Sequence, residues 1–212
     1  MEFKPRLFEQ FSRIAKAMSS GNRLQLLELV AQGERSVENL ANLTGMSVAN
    51  TSRHLQQLRL AGLVRSRKDG LYVHYQIAGG GVVRLLHALG EVAEHNLAEV
   101  SQLITEFLTA RDMLEPVPHQ ELVQRARKGL VTVIDVRPPE EFAAGHIPGA
   151  LNVPLAELDR WARGMPKARQ IVAYCRGPYC LMAFEAVAQL RRKGHKARRL
   201  ADGFPEWKSA GL

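Results

Sequence analysis

Cysteine is scarce in this chain of 212 residues: there are two, Cys175 and Cys180, separated by four positions. A bridge that local would staple little of a domain this size, so the pair reads as reduced, reactive thiols rather than a fold-holding disulfide. Long apolar runs are also missing, and none approaches the roughly 18 residues of a membrane span. The N-terminus sets Glu2, Lys4, Arg6 and Glu9 close together and lacks a signal-peptide core. A soluble, cytoplasmic protein with no membrane partner is expected. Acidic residues are absent over one stretch: from Asn39 to Lys68 there is no Asp or Glu, while Arg53, Arg59, Arg65, Arg67 and Lys68 are basic. The overall net charge of +8 says less about partners, because residues 1–110 carry 12 Lys/Arg against 10 Asp/Glu and residues 111–212 carry 17 against 11.

What is present divides in two. Residues 5–19 place Leu7, Phe8, Phe11, Ile14, Ala15 and Met18 on one side of a helix. Asn22 is expected to cap a second helix that stops at Gly33, and a third starts near Ser36. After the turn Thr44-Gly45-Met46, Ser47 is a good N-cap for a fourth helix ending at Ala61-Gly62, with Leu55, Leu58, Leu60 and Leu63 expected in the core. Lys68-Asp69-Gly70 between two alternating runs signals a hairpin. Two short helices joined by a Gly-containing turn and followed by a hairpin spell a winged helix-turn-helix. From Gly81 to Arg111 the pattern predicts one long helix.

Pro116-Val117-Pro118 makes a stiff extended link. The expected division is a first domain over 1–112, a linker over 113–119 and a second domain over 120–212, in which strands and helices alternate as in an α/β fold with a mostly parallel sheet. The strand Ile171–Tyr174 hands over to a helix beginning near Leu181, and both cysteines lie in the loop between. At such a helix N-terminus the unpaired N–H groups and the dipole are expected to favour a thiolate at Cys175.

The stretch SVANTSRHLQQLRLAGLV, from Ser47 to Val64, resembles the ArsR family of winged-helix repressors, over about Arg6 to Ile77. The resemblance implies that the helix beginning at Ser47 enters the major groove of a double-stranded DNA operator. Asn50, Ser52 and Arg53 are then best placed for base edges, with His54 and Gln57 behind them; Ser47 at the helix start is also counted among the DNA-binding residues, and Arg65, Arg67 and Lys68 on the wing face phosphates or a minor groove. Val48 and Ala49 are apolar where relatives often carry polar residues, which makes thymine methyl contact more favourable. It also implies a homodimer through the first and last helices. The metal-binding cysteines of that family are missing, since Ser36 to Ala41 contains none. Glu91, His95 and Glu99 are spaced by four, but exposed i,i+4 pairing is the reading adopted, and neither a metal nor a cofactor is expected.

Three further pieces resemble the rhodanese family: IDVRPPEEFAAGHIPGALNVP at Ile134 to Pro154, the loop YCRGPYC at Tyr174 to Cys180, and GFPEW at Gly203 to Trp207. By that resemblance Cys175 attacks the outer sulfur of a small donor such as thiosulfate or a persulfide and becomes a persulfide itself. The backbone of Arg176, Gly177, Pro178, Tyr179, Cys180 and Leu181 would cradle the anion. Arg176 either binds that anion or is a solvent-facing loop charge. Asp135, Arg137 and His146 are expected as structural support. Leu181, six positions after Cys175, stands where the longer loop of rhodanese-fold phosphatases carries arginine. Cys180 has two readings, a small residue packed at the helix start or a thiol that resolves a persulfide on Cys175.

The expectation from sequence is thus a dimeric transcriptional regulator whose second domain senses or processes reactive sulfur. A sulfurtransferase with the winged helix as an autoregulatory module is the alternative.

Overall fold

The computed structural model describes residues 2–109 and 114–212. The expected boundary at 112 and the first linker residue, 113, lie outside the described residues. Two compact units divide the chain, Met1–Leu86 and His87–Leu212.

The first unit contains α1 (Phe3–Met18), α2 (Gly21–Ala31), β1 (Arg35–Ser36), α3 (Val37–Thr44), α4 (Val48–Leu60), β2 (Val64–Asp69) and β3 (Tyr72–Ile77). Ser36 and Ser47 cap α3 and α4, their side chains accepting from the N–H groups of Asn39 and Asn50. Gly45, at φ 69°, takes the left-handed conformation that ends α3. For α2, the cap is Ser20 rather than Asn22, which already lies within the helix. Leu26, Leu27, Leu40, Leu55 and Leu58 are fully buried. Leu60, expected in this core, is 72% exposed. It sits two positions beyond Leu58, about 200° around the helix and so on its far side. The hairpin pairs Val64 with Ile77 and Asp69 with Tyr72, and β1 adds a third strand against β3.

α5 (Gly80–Asn96) starts in the first unit and ends in the second. The long helix expected from Gly81 to Arg111 is interrupted: Leu97 takes an extended conformation (φ −114°, ψ 109°) before α6 (Ala98–Ile104), and a π-helical turn follows over Thr105–Thr109. Arg111 itself is outside the described residues. Asn96 Nδ2 donates to the Val92 carbonyl and Ser101 Oγ to that of Glu94, so side chains serve backbone carbonyls around the break.

The second unit continues with α7 (His119–Arg127), β4 (Val131–Asp135), α8 (Pro139–Ala144), β5 (Leu151–Asn152), α9 (Leu158–Arg163), β6 (Gln170–Tyr174), α10 (Leu181–Arg192), β7 (Lys196–Arg199) and α11 (Phe204–Ser209). Its four-stranded sheet runs β5-β4-β6-β7 with every pairing parallel. Such a sheet must be covered on both faces. One face packs Leu158, Ala162, Ala186 and Leu190 from α9 and α10; the other packs Leu122, Phe204 and Trp207 from α7 and α11. No helix among the described residues is long and apolar enough to cross a membrane.

Candidate functional site

Cys175 follows the last residue of β6, at the carboxyl end of the sheet, where parallel α/β folds open their sites. It is 1% exposed, Cys180 is also buried, and no disulfide joins the two. The loop is drawn inward on itself. The Cys180 N–H donates to the Gly177 carbonyl at 3.2 Å, and the Cys175 thiol points to the Cys180 carbonyl at 3.5 Å. Contrary to the expectation of a stabilised thiolate, burial pushes the Cys175 thiol well above its ordinary value, and the neighbouring Cys180 adds to the rise. The backbone of Gly177 and Ala183 pulls the other way and is outweighed. In this conformation the Cys175 thiol faces a carbonyl, and the Cys180 amide is already committed to Gly177.

Arg176, expected either to bind the anion or to stand as a solvent-facing charge, is paired within the protein. Its Nη2 lies 2.6 Å from Glu141 Oε1 and its Nε 3.1 Å from both carboxylate oxygens of that buried residue. Behind it Asp135 and Arg137 form a second ion pair, both side chains wholly enclosed. Arg137 Nε donates to Oδ1 at 3.0 Å and Nη2 to Oδ2 at 2.6 Å. Arg137 also donates to the Gly145 carbonyl at 2.8 Å and lies over the Phe204 ring at 4.8 Å. His146 stacks on Phe142 at 3.8 Å with Nδ1 near that residue's carbonyl, a local brace.

Gly203, the glycine of GFPEW, lies against the loop so closely that any Cβ would overlap the backbone of Arg176 and Gly177. The next N–H, of Phe204, donates to the Cys175 carbonyl at 3.2 Å. Glu206 accepts from the Gly203 N–H at 3.0 Å, and burial raises its carboxyl above the usual range. On the loop's other side the Tyr179 hydroxyl donates to Glu94 Oε2 at 3.1 Å, and its ring lies so close to Gly90 that a Cβ there would stand 3.0 Å from it. Burial, and then Glu94, push the Tyr179 phenol up to about 12.

In the first unit, α4 carries Asn50, Ser52, Arg53, His54 and Gln57 on or near its outer side. Asn50 accepts from Arg53 Nη2 at 2.7 Å, so the two form a single polar group at the start of the helix. Gln57 accepts from Arg23 Nη1 at 2.9 Å, which brings an unforeseen cation to this face. His54 is half-buried with an enclosed Nδ1, and burial, then Arg23 and Arg53, hold it below its ordinary value. Ser52 lies within 3.5 Å of Gln56 Nε2. On the wing Arg65 and Lys68 are exposed, whereas Arg67 is clamped between Glu34 at 2.8 Å and Asp69 at 2.9 Å.

Residues 20–66 match the family described as bacterial regulatory protein, arsR family, and residues 118–210 match the rhodanese-like domain. An HTH-type transcriptional regulator, Rv0324 of Mycobacterium tuberculosis, is 46% identical over 210 residues, spanning 99% of this chain and 92% of that protein. The chain belongs to the ArsR family of transcriptional regulators. A solved homodimeric winged helix-turn-helix DNA-binding domain, fragment 1–100 of Mb0332 from Mycobacterium bovis, is 42% identical, covers 47% of this chain and 92% of that one, and has a TM-score of 0.44. A protein named sulfurtransferase from Allochromatium vinosum is 32% identical over 102 residues, 47% of this chain and 94% of its own length.

This ArsR-family regulator with its rhodanese-like domain holds four residues at its candidate sites that sequence alone did not single out: Glu141, Glu206, Arg23 and Glu34. Each acts on a partner distant in the chain or, for Glu206, on a glycine backbone, and in the sequence each looks like an ordinary surface charge. Glu141 and Glu206 carried one faint signal, each being a carboxylate inside a rhodanese-like motif. Asp202, beside Gly203, has His119 Nδ1 at 3.2 Å and His87 Nε2 at 3.7 Å, a grouping equally invisible in the sequence.

Proposed function

We propose that this regulator binds duplex operator DNA in the cytoplasm as a homodimer, and that sulfur taken up on Cys175 changes its DNA affinity. The observation that carries the reading is a cysteine loop of rhodanese type at the carboxyl end of β6, in one chain with a helix-turn-helix. With thiosulfate as donor, Cys175 gives up its proton and attacks the outer sulfur, the S–S bond breaks, sulfite leaves with the electron pair, and a persulfide remains. Uptake requires the loop to turn its amides toward the anion, because in the closed form the Cys180 N–H is spent on Gly177. Arg176 and Glu141 fix one end of the loop, and the backbone from Gly177 to Leu181 is the part that receives the donor. Where Cys180 resolves the persulfide, its thiol displaces the outer sulfur as hydrogen sulfide and closes a disulfide.

On the DNA side, Asn50 and Arg53 read base edges, Val48 and Ala49 offer apolar contact, and Arg65 and Lys68 hold phosphates. The dimer is supported by apolar side chains that one copy leaves exposed, Phe8 and Phe11 on α1 and Leu89 and Val92 on α5. The name of the sulfurtransferase relative favours a second reading, in which turnover is the main activity and DNA binding serves autoregulation.

The deciding experiment compares the parent with Cys175→Ser on a duplex selected from a random library, with and without polysulfide. The parent is expected to gain about 32 Da per sulfur and to change its affinity by about fivefold or more, and the variant to do neither. Modification without any change in affinity would remove the sensor reading and leave the enzyme.

A further inference from the structure

The end of the sheet opposite the cysteine loop carries a charge pattern that the functions above do not use. Three segments lead into strands there: 124–130 into β4, 160–169 into β6 and 191–196 into β7. They contain three, four and four Lys or Arg and no Asp or Glu. β4, β6 and β7 are adjacent, and their first residues are in register, Val131 beside Gln170 and Gln170 beside Lys196. The topology therefore gathers all three segments along one edge. β6 has five residues, so about 16 Å of strand separates this edge from Cys175.

Cations in the last turns of α7, α9 and α10 complement the negative ends of helix dipoles, which accounts for Arg127, Arg163 and Arg192 without any ligand. It does not account for Lys128, Lys167, Arg169 and Lys196, which lie outside the helices. Nearby carboxylates neutralise few of these charges: Asp159 meets Lys193 at 3.3 Å, Glu157 meets Arg160 at 3.1 Å, and Glu121 meets Arg125 at 2.7 Å. Arg127, Lys128, Arg163, Arg192 and Lys196 are exposed and have no side-chain ion pair among the described residues.

We infer that this edge is a second DNA-binding surface, which holds the phosphate backbone of a duplex without reading its sequence. A row of cations with few opposing acids releases counterions on meeting a polyanion, and a regulator tethered to DNA by another part of its chain presents that polyanion at high local concentration. A duplex fits better than a single strand. Unstacked bases are bound on exposed aromatic rings, and the one aromatic residue of the three segments, Trp161, packs against the domain core. The inference rests on DNA being the chain's partner.

The test uses the full chain and a labelled 40-bp duplex of random sequence, with affinity followed by anisotropy from about 50 to 300 mM salt. The variant joins Arg127→Gln, Lys128→Gln, Arg163→Gln, Arg192→Gln and Lys196→Gln. Lys167 and Arg169 are left intact because they hydrogen-bond to the Lys193 carbonyl and to Thr132 Oγ1. With the thermal midpoint held near that of the parent, affinity at 100 mM salt is expected to fall by about tenfold or more and the log–log salt slope to shrink by about 2 to 4, at roughly 0.9 for each phosphate that is no longer neutralised. An unchanged slope and affinity overturn the inference. So does loss of binding to a polyglutamate peptide with DNA binding intact, which would assign the edge to an acidic protein. If the parent binds no duplex at all, the proposed function fails first, an outcome distinct from a parent that binds and a variant that matches it.

Discussion

At the scale of single residues, Cys175 is governed by what surrounds it more than by its place at a helix start. The dipole and loop amides favour a thiolate, but enclosure at 1% exposure outweighs them. Folding therefore favours the protonated thiol; that stabilisation is full below the ordinary thiol value and is lost as pH rises through the raised one. Alkylation of Cys175 by iodoacetamide should accordingly keep accelerating, about tenfold per pH unit, beyond the roughly 8.5 of an unperturbed thiol. A rate that levels off near or below that value would contradict the enclosed thiol. Asp135 and Arg137 were legible in the sequence because they stand two apart inside a motif. Glu141 and Glu206 were not, since nothing in a linear sequence distinguishes a buried carboxylate from a solvated one until its partner is in place.

At the scale of elements, the helix starts at Ser36 and Ser47 were readable because capping is a local bond between residues three apart. Ser47→Ala should cost about 1 kcal/mol, seen as a lower midpoint in urea, while Ser47→Gly costs only a few tenths. An Ala variant as stable as the parent would show that the Asn50 amide finds another acceptor. The elements that escaped notice are those with no period to leave. β1 is two residues long, and the break at Leu97 is one residue's dihedral angles inside a stretch whose apolar pattern continues on both sides. Leu60 was misplaced for a related reason: leucine content indicates a helix, but only the angle around it says which leucine turns inward.

At the scale of the whole molecule, the two compact units have separate cores, one around Leu26, Leu55 and Leu58 and others on either face of the parallel sheet. Damage to one core should stay within its unit. Asp135→Ala takes the carboxylate from the enclosed Arg137 guanidinium and should cost about 3–5 kcal/mol, read as lost hydrogen-exchange protection in β4 and β6 with α2 and α4 unaffected. Protection lost equally in α4 would mean that the units unfold together. The thiol folded under its own loop has a further consequence, in time rather than in strength. A group that must be uncovered before it reacts is modified no faster than its cover lifts, however abundant the reagent. Under the proposed function, such a regulator would respond to how long reactive sulfur persists, and a burst shorter than one opening would pass without leaving a mark.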